Sequence, residues 1–397
     1  MTPRERVLAA LERRESDHVP IDLGSFHDAT LTLATHRQIA SALGESFEGF
    51  HLYDWMLGMV YPDAGLLERF HVDTRNIRSG PGKHRELESF QREVGVRELP
   101  NGDLGQFTPD GKTLLNVRPA GSYGFQPAGD APLPLRGELS CAVVDAALPM
   151  PTPAAVRAFA AEAGELAHAA ERLHRQTDFA IVANYNTVPV LQLCDLAGME
   201  DFLAEVALSP DDVRYAGERL VESRLPFIEA YYGALGPFID VAYCVGDDMA
   251  DQRSTVFSVD TYRTLFKALH ARIIQAVRSH SRAKIIFHIC GSAFPFIPDL
   301  IDLGVDAINP VQTTAAGMEP ERLKREFGRD IAFWGGVDTQ KILPFGSRQQ
   351  VADEVRRKVE VLGRGGGYVF APCHNIQAGT PAENIVAMYE SVWHLCS

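Results

Sequence analysis

Across 397 residues the chain carries 52 acidic against 38 basic residues, a formal net charge of −14. That balance argues against nucleic acid and anionic membrane as partners, and a polyanionic substrate would need a local basic pocket. The composition, 46% hydrophobic and 23% charged, is that of a globular protein. No apolar run reaches bilayer length, and the charged start Met1-Thr2-Pro3-Arg4-Glu5-Arg6 lacks a signal-peptide core, so a cytoplasmic location is expected. Six scattered cysteines (Cys141, Cys194, Cys244, Cys290, Cys373 and Cys396) form no dense framework and are expected as free thiols or ligands.

In chain order, Thr2-Pro3-Arg4-Glu5 is a capping box with Pro at the first helical position, and it opens a helix to about Arg14. Val19 to Gly24 reads as a short strand, and residues 29 to 43 as a helix. Residues 50 to 75 mix aromatics and acids, Tyr53, Asp54, Trp55 and Asp73 among them. Residues of about 78 to 140 are Gly- and Pro-rich with short β-like pieces such as Leu104 to Phe107, which suggests an insertion or lid inside one domain.

From Thr152 the pattern is regular. Helices are expected from Pro153 to about Arg175, after Ser209-Pro210-Asp211-Asp212, from Ser258 to about Ser279, from Pro298 to Leu303, from Pro320 to Phe327, between Ser347 and Gly363, and after Thr380-Pro381-Ala382-Glu383. Between them lie apolar strands: Phe179 to Asn184, Phe238 to Val245, Ile285 to Phe287, Val305 to Asn309, Ile331 to Gly336 and Tyr368 to Pro372. Continuous apolar strands alternating with helices mark a parallel sheet buried on both faces. With the stretch near Ile21 there are seven, and Arg75-Asn76-Ile77 offers an eighth. The expectation is a single (β/α)₈ barrel with an N-terminal helical extension and the 78–140 insertion over its mouth. An open doubly wound sheet would want a G-x-G-x-x-G loop after an early strand, and none is there.

Barrel chemistry gathers at the C-terminal ends of strands. Those ends here are polar: Asn184; Asp247 and Asp248, with Gln252 beyond; His288 and Cys290; Asn309 and Gln312; Asp338; then Cys373 and His374. Helix N-capping accounts for one or two of the Asn and Asp residues, Asp338 most easily. In a strand, residues i and i+2 share a face, so His288 and Cys290 project side by side, as zinc prefers. A buried Cys beside a core His is the plainer alternative for that pair alone. A catalytic zinc wants a third protein ligand, and Cys373 or His374 would supply it. Asp247 and Asp248 then serve as partners of the ligands or as general bases.

Several runs carry a family resemblance. They are Thr2 to Pro20, Gly246-Asp247-Asp248-Met249 with Gln252, Phe287 to Ser292, Gly304 to Gln312, Phe333 to Asp338, and above all Gly365 to Gln377 followed by Thr380 to Asn384. Over nearly its whole length the chain resembles the uroporphyrinogen decarboxylase superfamily. That family's decarboxylases hold substrate carboxylates with an Arg-rich motif after the first strand. Here the segment is Ile21-Asp22-Leu23-Gly24-Ser25-Phe26-His27-Asp28, with two acids and no Arg. The resemblance therefore implies the zinc-dependent, corrinoid-linked methyltransferase branch: a demethylase-type enzyme moving methyl between a small O-, N- or S-methyl compound and a corrinoid (cobalamin) carrier, on a partner protein or free. A cofactor-free decarboxylase is the alternative. Asp247, Asp248 and His374 are the expected catalytic groups; Asn184, Gln252, Asn309, Gln312 and Asp338 the substrate contacts; His288, Cys290 and Cys373 the zinc ligands. Aligned on Thr380-Pro381, the family's later Cys falls at His374. Cys373 is chosen because a second thiolate would make a zinc-bound thiolate more nucleophilic. The methyl donor, the acceptor and the oligomeric state, homodimer included, stay open.

Overall fold

The computed structural model describes residues 1–78, 91, 92, 94–119, 125–128 and 133–396. Parts of the expected 78–140 insertion thus lie outside the described residues. Seven parallel strands form one sheet: β1 (Thr74–Arg78), β2 (Ala180–Thr187), β3 (Val241–Gly246), β4 (Lys284–His288), β5 (Ala307–Asn309), β6 (Ala332–Trp334) and β7 (Tyr368–Val369), each beside the next. The eighth position is filled by residues 20–22, which close the ring between β7 and β1. Asp22 N donates to Phe370 O (2.8 Å), Phe370 N to Pro20 O (2.9 Å), and Asp73 N to Ile21 O (2.8 Å). The expected strand from Val19 to Gly24 is thus a single rung. The fold is the (β/α)₈ barrel.

One device recurs where strands begin. Asp73 precedes β1, and its carboxylate accepts from Ile21 N at 2.7 Å. Asp240 precedes β3 and accepts from Ile181 N of β2 at 2.8 Å. Asp306 precedes β5 and accepts from Ile285 N of β4 at 2.9 Å. In each pair the aspartate's own N–H donates back to the same isoleucine's carbonyl, at 2.8 to 2.9 Å. A side chain thereby supplies a rung that the short strands lack. The equivalent place before β7 holds Gly367, which contributes only its carbonyl, to Phe333 N.

The interior is filled by alternate strand residues, among them Val182, Val241, Tyr243, Ile286, Ala307, Trp334 and Val369. Val7, Ala10 and Leu11 of the first helix, Pro3–Leu11, join this cluster and plug the end where the strands begin. That helix has the expected capping box but stops at Leu11, short of Arg14, where the chain turns through Arg13 at φ 57°. Phe26 joins the inner cluster from the loop after the 20–22 rung. A larger apolar layer lies between the strands and the surrounding helices.

The later helices fall where the sequence places them, with two differences. Ser209 stands at the N-cap of Pro210–Leu235, but its side chain makes no capping bond. The helix after Ser258 starts at Val259–Thr261 and passes through a π turn at Tyr262–Phe266 before Lys267–His280. The aromatic-acidic stretch contains a hairpin, His51–Asp54 with Met59–Tyr61, and a helix, Ala64–Arg69. In the inserted region, Val96–Glu98, Leu104–Phe107, Leu114–Arg118 and Gln126–Pro127 form an antiparallel sheet. It meets the hairpin turn through Phe125, whose ring lies 5.3 Å from that of Trp55.

Candidate active site at the barrel mouth

His288 is the last residue of β4. It is accommodated because residue 246, ending β3, is a glycine; a Cβ there would stand 2.5 Å from the His288 Cβ. After His288 the chain turns sharply through Gly291 at φ 79°, where any side chain would strike the carbonyls of Ala250 and Asp251. The turn is pinned on both sides. Cys290 N donates to Asp248 Oδ1 (3.2 Å), and Gly291 N donates to Gln312 Oε1 (2.8 Å). Cys290 Sγ consequently lies 3.6 Å from His288 Nε2.

Across the mouth, residues 373 and 374 follow β7. His288, Cys290 and His374 offer donor atoms that all lie within 4.8 Å of one another, the one such group among the described residues. Cys373, the third ligand expected from sequence, lines the same mouth but is not in that group. Its backbone N–H donates to Val337 O at 2.8 Å, and its buried Sγ lies 3.6 Å from Val311 O. Burial pushes that thiol well above the usual cysteine range. His374 takes the place beside Cys290.

Both site rings lean on Asp28, from the turn His27–Ala29. Asp28 Oδ2 lies 3.2 Å from His288 Nδ1, and Oδ1 lies 3.1 Å from His374 Nε2. The His27 ring is 3.1 Å from Oδ1, and the Tyr243 hydroxyl donates to Oδ2. Tyr243 is held there by Phe26, stacked at 4.6 Å. Burial favours the neutral form of each member, but the charges outweigh it. His288, His27 and His374 hold Asp28 well below the usual carboxylate range. Asp28 in turn raises His374 to about 10, and Asp28 with Asp248 raises His288 well above its ordinary value. Burial resists the charge on Asp248 too, yet His288, 3.4 Å away, brings it below the ordinary range.

Beside the donors opens a cleft of about 290 Å³, lined by Cys290, Gln312, Thr313, Asp338, Gln340, Cys373, His374, Asn375 and Gln377 among others. No Lys or Arg is among its described lining residues. Of the expected substrate contacts, Gln312 and Asp338 line it, and Gln252 accepts from Gln312 Nε2 at its rim (2.5 Å). Asp338 also receives Gln340 N and Lys341 N, closing the turn before the helix Ile342–Phe345, whose N-cap is Lys341 and not Asp338. Asn184 and Asn309 lie deeper and donate to the carbonyls of Ser25 (2.6 Å) and Trp334 (3.2 Å). Asp247 is fully buried away from the cleft. It accepts from Val190 N (2.9 Å) and Leu191 N (2.8 Å) at the start of the helix Pro189–Ala197, and from His270 Nε2 at 2.8 Å. Asp28, Tyr243 and the amides Gln340, Asn375 and Gln377 were missing from the sequence expectation. Only Asp28 had a usable signal: an acid just past the first strand of a barrel, next to a histidine.

The family model described as Uroporphyrinogen decarboxylase (URO-D) matches residues 162–394. A uroporphyrinogen decarboxylase from Chromohalobacter salexigens is 27% identical over 142 residues, 35% of this chain and 38% of that protein's length. Among solved structures, a methyltransferase from Methanosarcina mazei superposes over 100% of both chains with a TM-score of 0.59 at 18% identity, a likeness of fold. No helix among the described residues is long and apolar enough to cross a membrane.

Proposed function

The chain belongs to the uroporphyrinogen decarboxylase family, and on that premise we propose that it is a zinc-dependent methyltransferase that moves a methyl group between a small O-, N- or S-methyl compound and a corrinoid carrier. The observation that carries this reading is the donor set itself: His288, Cys290 and His374 within 4.8 Å, at the edge of a cleft with no Lys or Arg among its described lining residues. Two imidazoles and a thiol are the borderline-soft donors zinc takes, and three protein ligands leave the position that catalysis needs. Bound there, zinc would supply Lewis acidity, keeping a coordinated thiol ionised at neutral pH or polarising an ether or amine leaving group.

The chain's own residues would do the rest. Asp248 and Gln312 fix the turn that presents Cys290. The amides of Gln312, Gln340, Asn375 and Gln377 give the cleft both donors and acceptors without charge. That lining suits a neutral, amide-bearing ligand such as the corrin periphery. A substrate carrying several carboxylates would need guanidinium or ammonium partners, and none is among the cleft's described lining residues.

The test is metal content and X-ray absorption at the zinc edge, paired with methyl transfer from methoxy, methylamino and thiol candidates to a corrinoid acceptor. His288→Ala, Cys290→Ser and His374→Ala should each lose metal and turnover and remain folded. Cys373→Ala should keep a site of one sulfur and two imidazoles. Loss of a sulfur ligand in Cys373→Ala would return that cysteine to the donor set. A metal-free wild type with turnover would end the zinc reading.

A further inference from the structure

Asp28 lies outside the donor set, yet it touches both imidazoles in it. Asp28 is 5% exposed; its carboxylate accepts from Tyr243 on β3 and lies 3.1 to 3.2 Å from ring nitrogens of His27 in its own turn, His288 at the end of β4 and His374 beyond β7. An imidazole that donates from Nδ1 carries its lone pair on Nε2. In His288, Nδ1 lies 3.2 Å from Asp28 Oδ2 without the alignment of a hydrogen bond, while Nε2 faces Cys290 Sγ at 3.6 Å. The carboxylate thus sits behind the ring, and the thiol in front of it.

We propose that Asp28 is the positioning residue of the metal centre, fixing the tautomer and orientation of His288 and anchoring the His374 ring so that the donors are set before a metal arrives. This rests on the zinc reading above. A carboxylate behind a ligating histidine locks its rotation and raises its basicity. Asp28 is itself held, since Tyr243 and His27 occupy acceptor positions that the two ligands leave, and His27 is braced by Asp54 at 3.5 Å. Asparagine has the same shape but would turn an N–H toward at least one of these donors, favouring the opposite tautomer.

The experiment compares wild type with Asp28→Asn. Zn²⁺ affinity is measured by competition with a chromophoric chelator, Co²⁺ loading by its thiolate absorption, and folding by thermal melting. Asp28→Asn should bind Zn²⁺ about 10- to 100-fold more weakly, keep the thiolate band because Cys290 is untouched, and melt cooperatively. Unchanged affinity in a folded Asp28→Asn would overturn the proposal. So would a lowered melting temperature as the sole effect, which is what a purely structural anchor gives. If the variant does not fold, nitrogen NMR of ¹⁵N-histidine in zinc-loaded wild type decides. His288 should show a protonated Nδ1 and a ligated Nε2, and the reverse assignment sinks the idea. A wild type that takes up no Zn²⁺ removes the functional reading first, an outcome distinct from either of these.

Discussion

Asp22 sits in the middle of the barrel with no cation beside it. Its carboxylate accepts from Thr74 (2.5 Å), Ser25 (2.7 Å) and the Trp334 indole (2.8 Å). Burial pushes it up to about 6 from an ordinary 3.8, against the pull of those hydrogen bonds. The folded state therefore holds a proton that the unfolded chain has already released. The associated stability is fully present below about pH 4 and is lost as pH rises through about 6, roughly 3 kcal/mol in all. Asp22→Asn mimics the protonated form, so it should gain on wild type by about that amount between about pH 4 and about pH 7. Urea unfolding of both proteins across that range measures it, and a difference that does not change with pH would refute it. Single residues were also where the sequence was least legible. Both Asp247 and Asp248 were expected at the site, while adjacent residues on an extended chain face opposite ways, so one of Cys373 and His374 was expected to ligate. The alternation does not say which. After β7 both residues line the cleft, with His374 the one in the donor group, and the helix beginning at Pro189 claims Asp247.

At the scale of elements, Asp247 joins the end of β3 to the start of a helix that follows β2. Removing its carboxylate strands two backbone N–H groups and His270, which is itself bonded to Tyr262 at 3.2 Å. Asp247→Ala should cost about 3–5 kcal/mol, the scale for breaking a buried ionic hydrogen-bond set, yet leave the zinc affinity of the folded protein unchanged. Denaturant unfolding and metal titration separate the two, and an Asp247→Ala protein that is stable but metal-free would return this residue to the site. The strand-helix alternation from Thr152 on was readable because apolar runs and capping residues are local signals, and Thr2, Thr152, Ser258 and Ser347 cap as their sequences suggest. The aspartates before the strands were not readable as such. Their partners lie 21 to 59 residues away, beyond any local pattern.

For the molecule as a whole, a net charge of −14 surrounds a cleft with amides and no Lys or Arg among its described lining residues. Binding of a neutral amide-bearing corrinoid there should change little from about 0.05 to about 0.5 M salt, since no ion pair is available to screen. A polycarboxylated tetrapyrrole should show no saturable binding. Fluorescence or absorbance titration of both ligands checks this, and tight, salt-sensitive binding of the carboxylated one would revive the decarboxylase alternative. The aspartate clasps carry a further consequence. They join residues 20–22 to β1, β2 to β3, and β4 to β5, while β6 and β7 have Gly367 in the corresponding place. The barrel therefore has a seam, running along β7 and the single rung that follows it. His374 rides just beyond that seam, whereas His288 and Cys290 belong to a clasped pair. An ion held by all three would act as a stitch, drawing the loosest edge of the ring onto its firmest part. Amide exchange at residues 368–370 and 21–22 should then slow on metal loading far more than exchange along β3, making occupancy of the site and closure of the barrel two readings of one equilibrium.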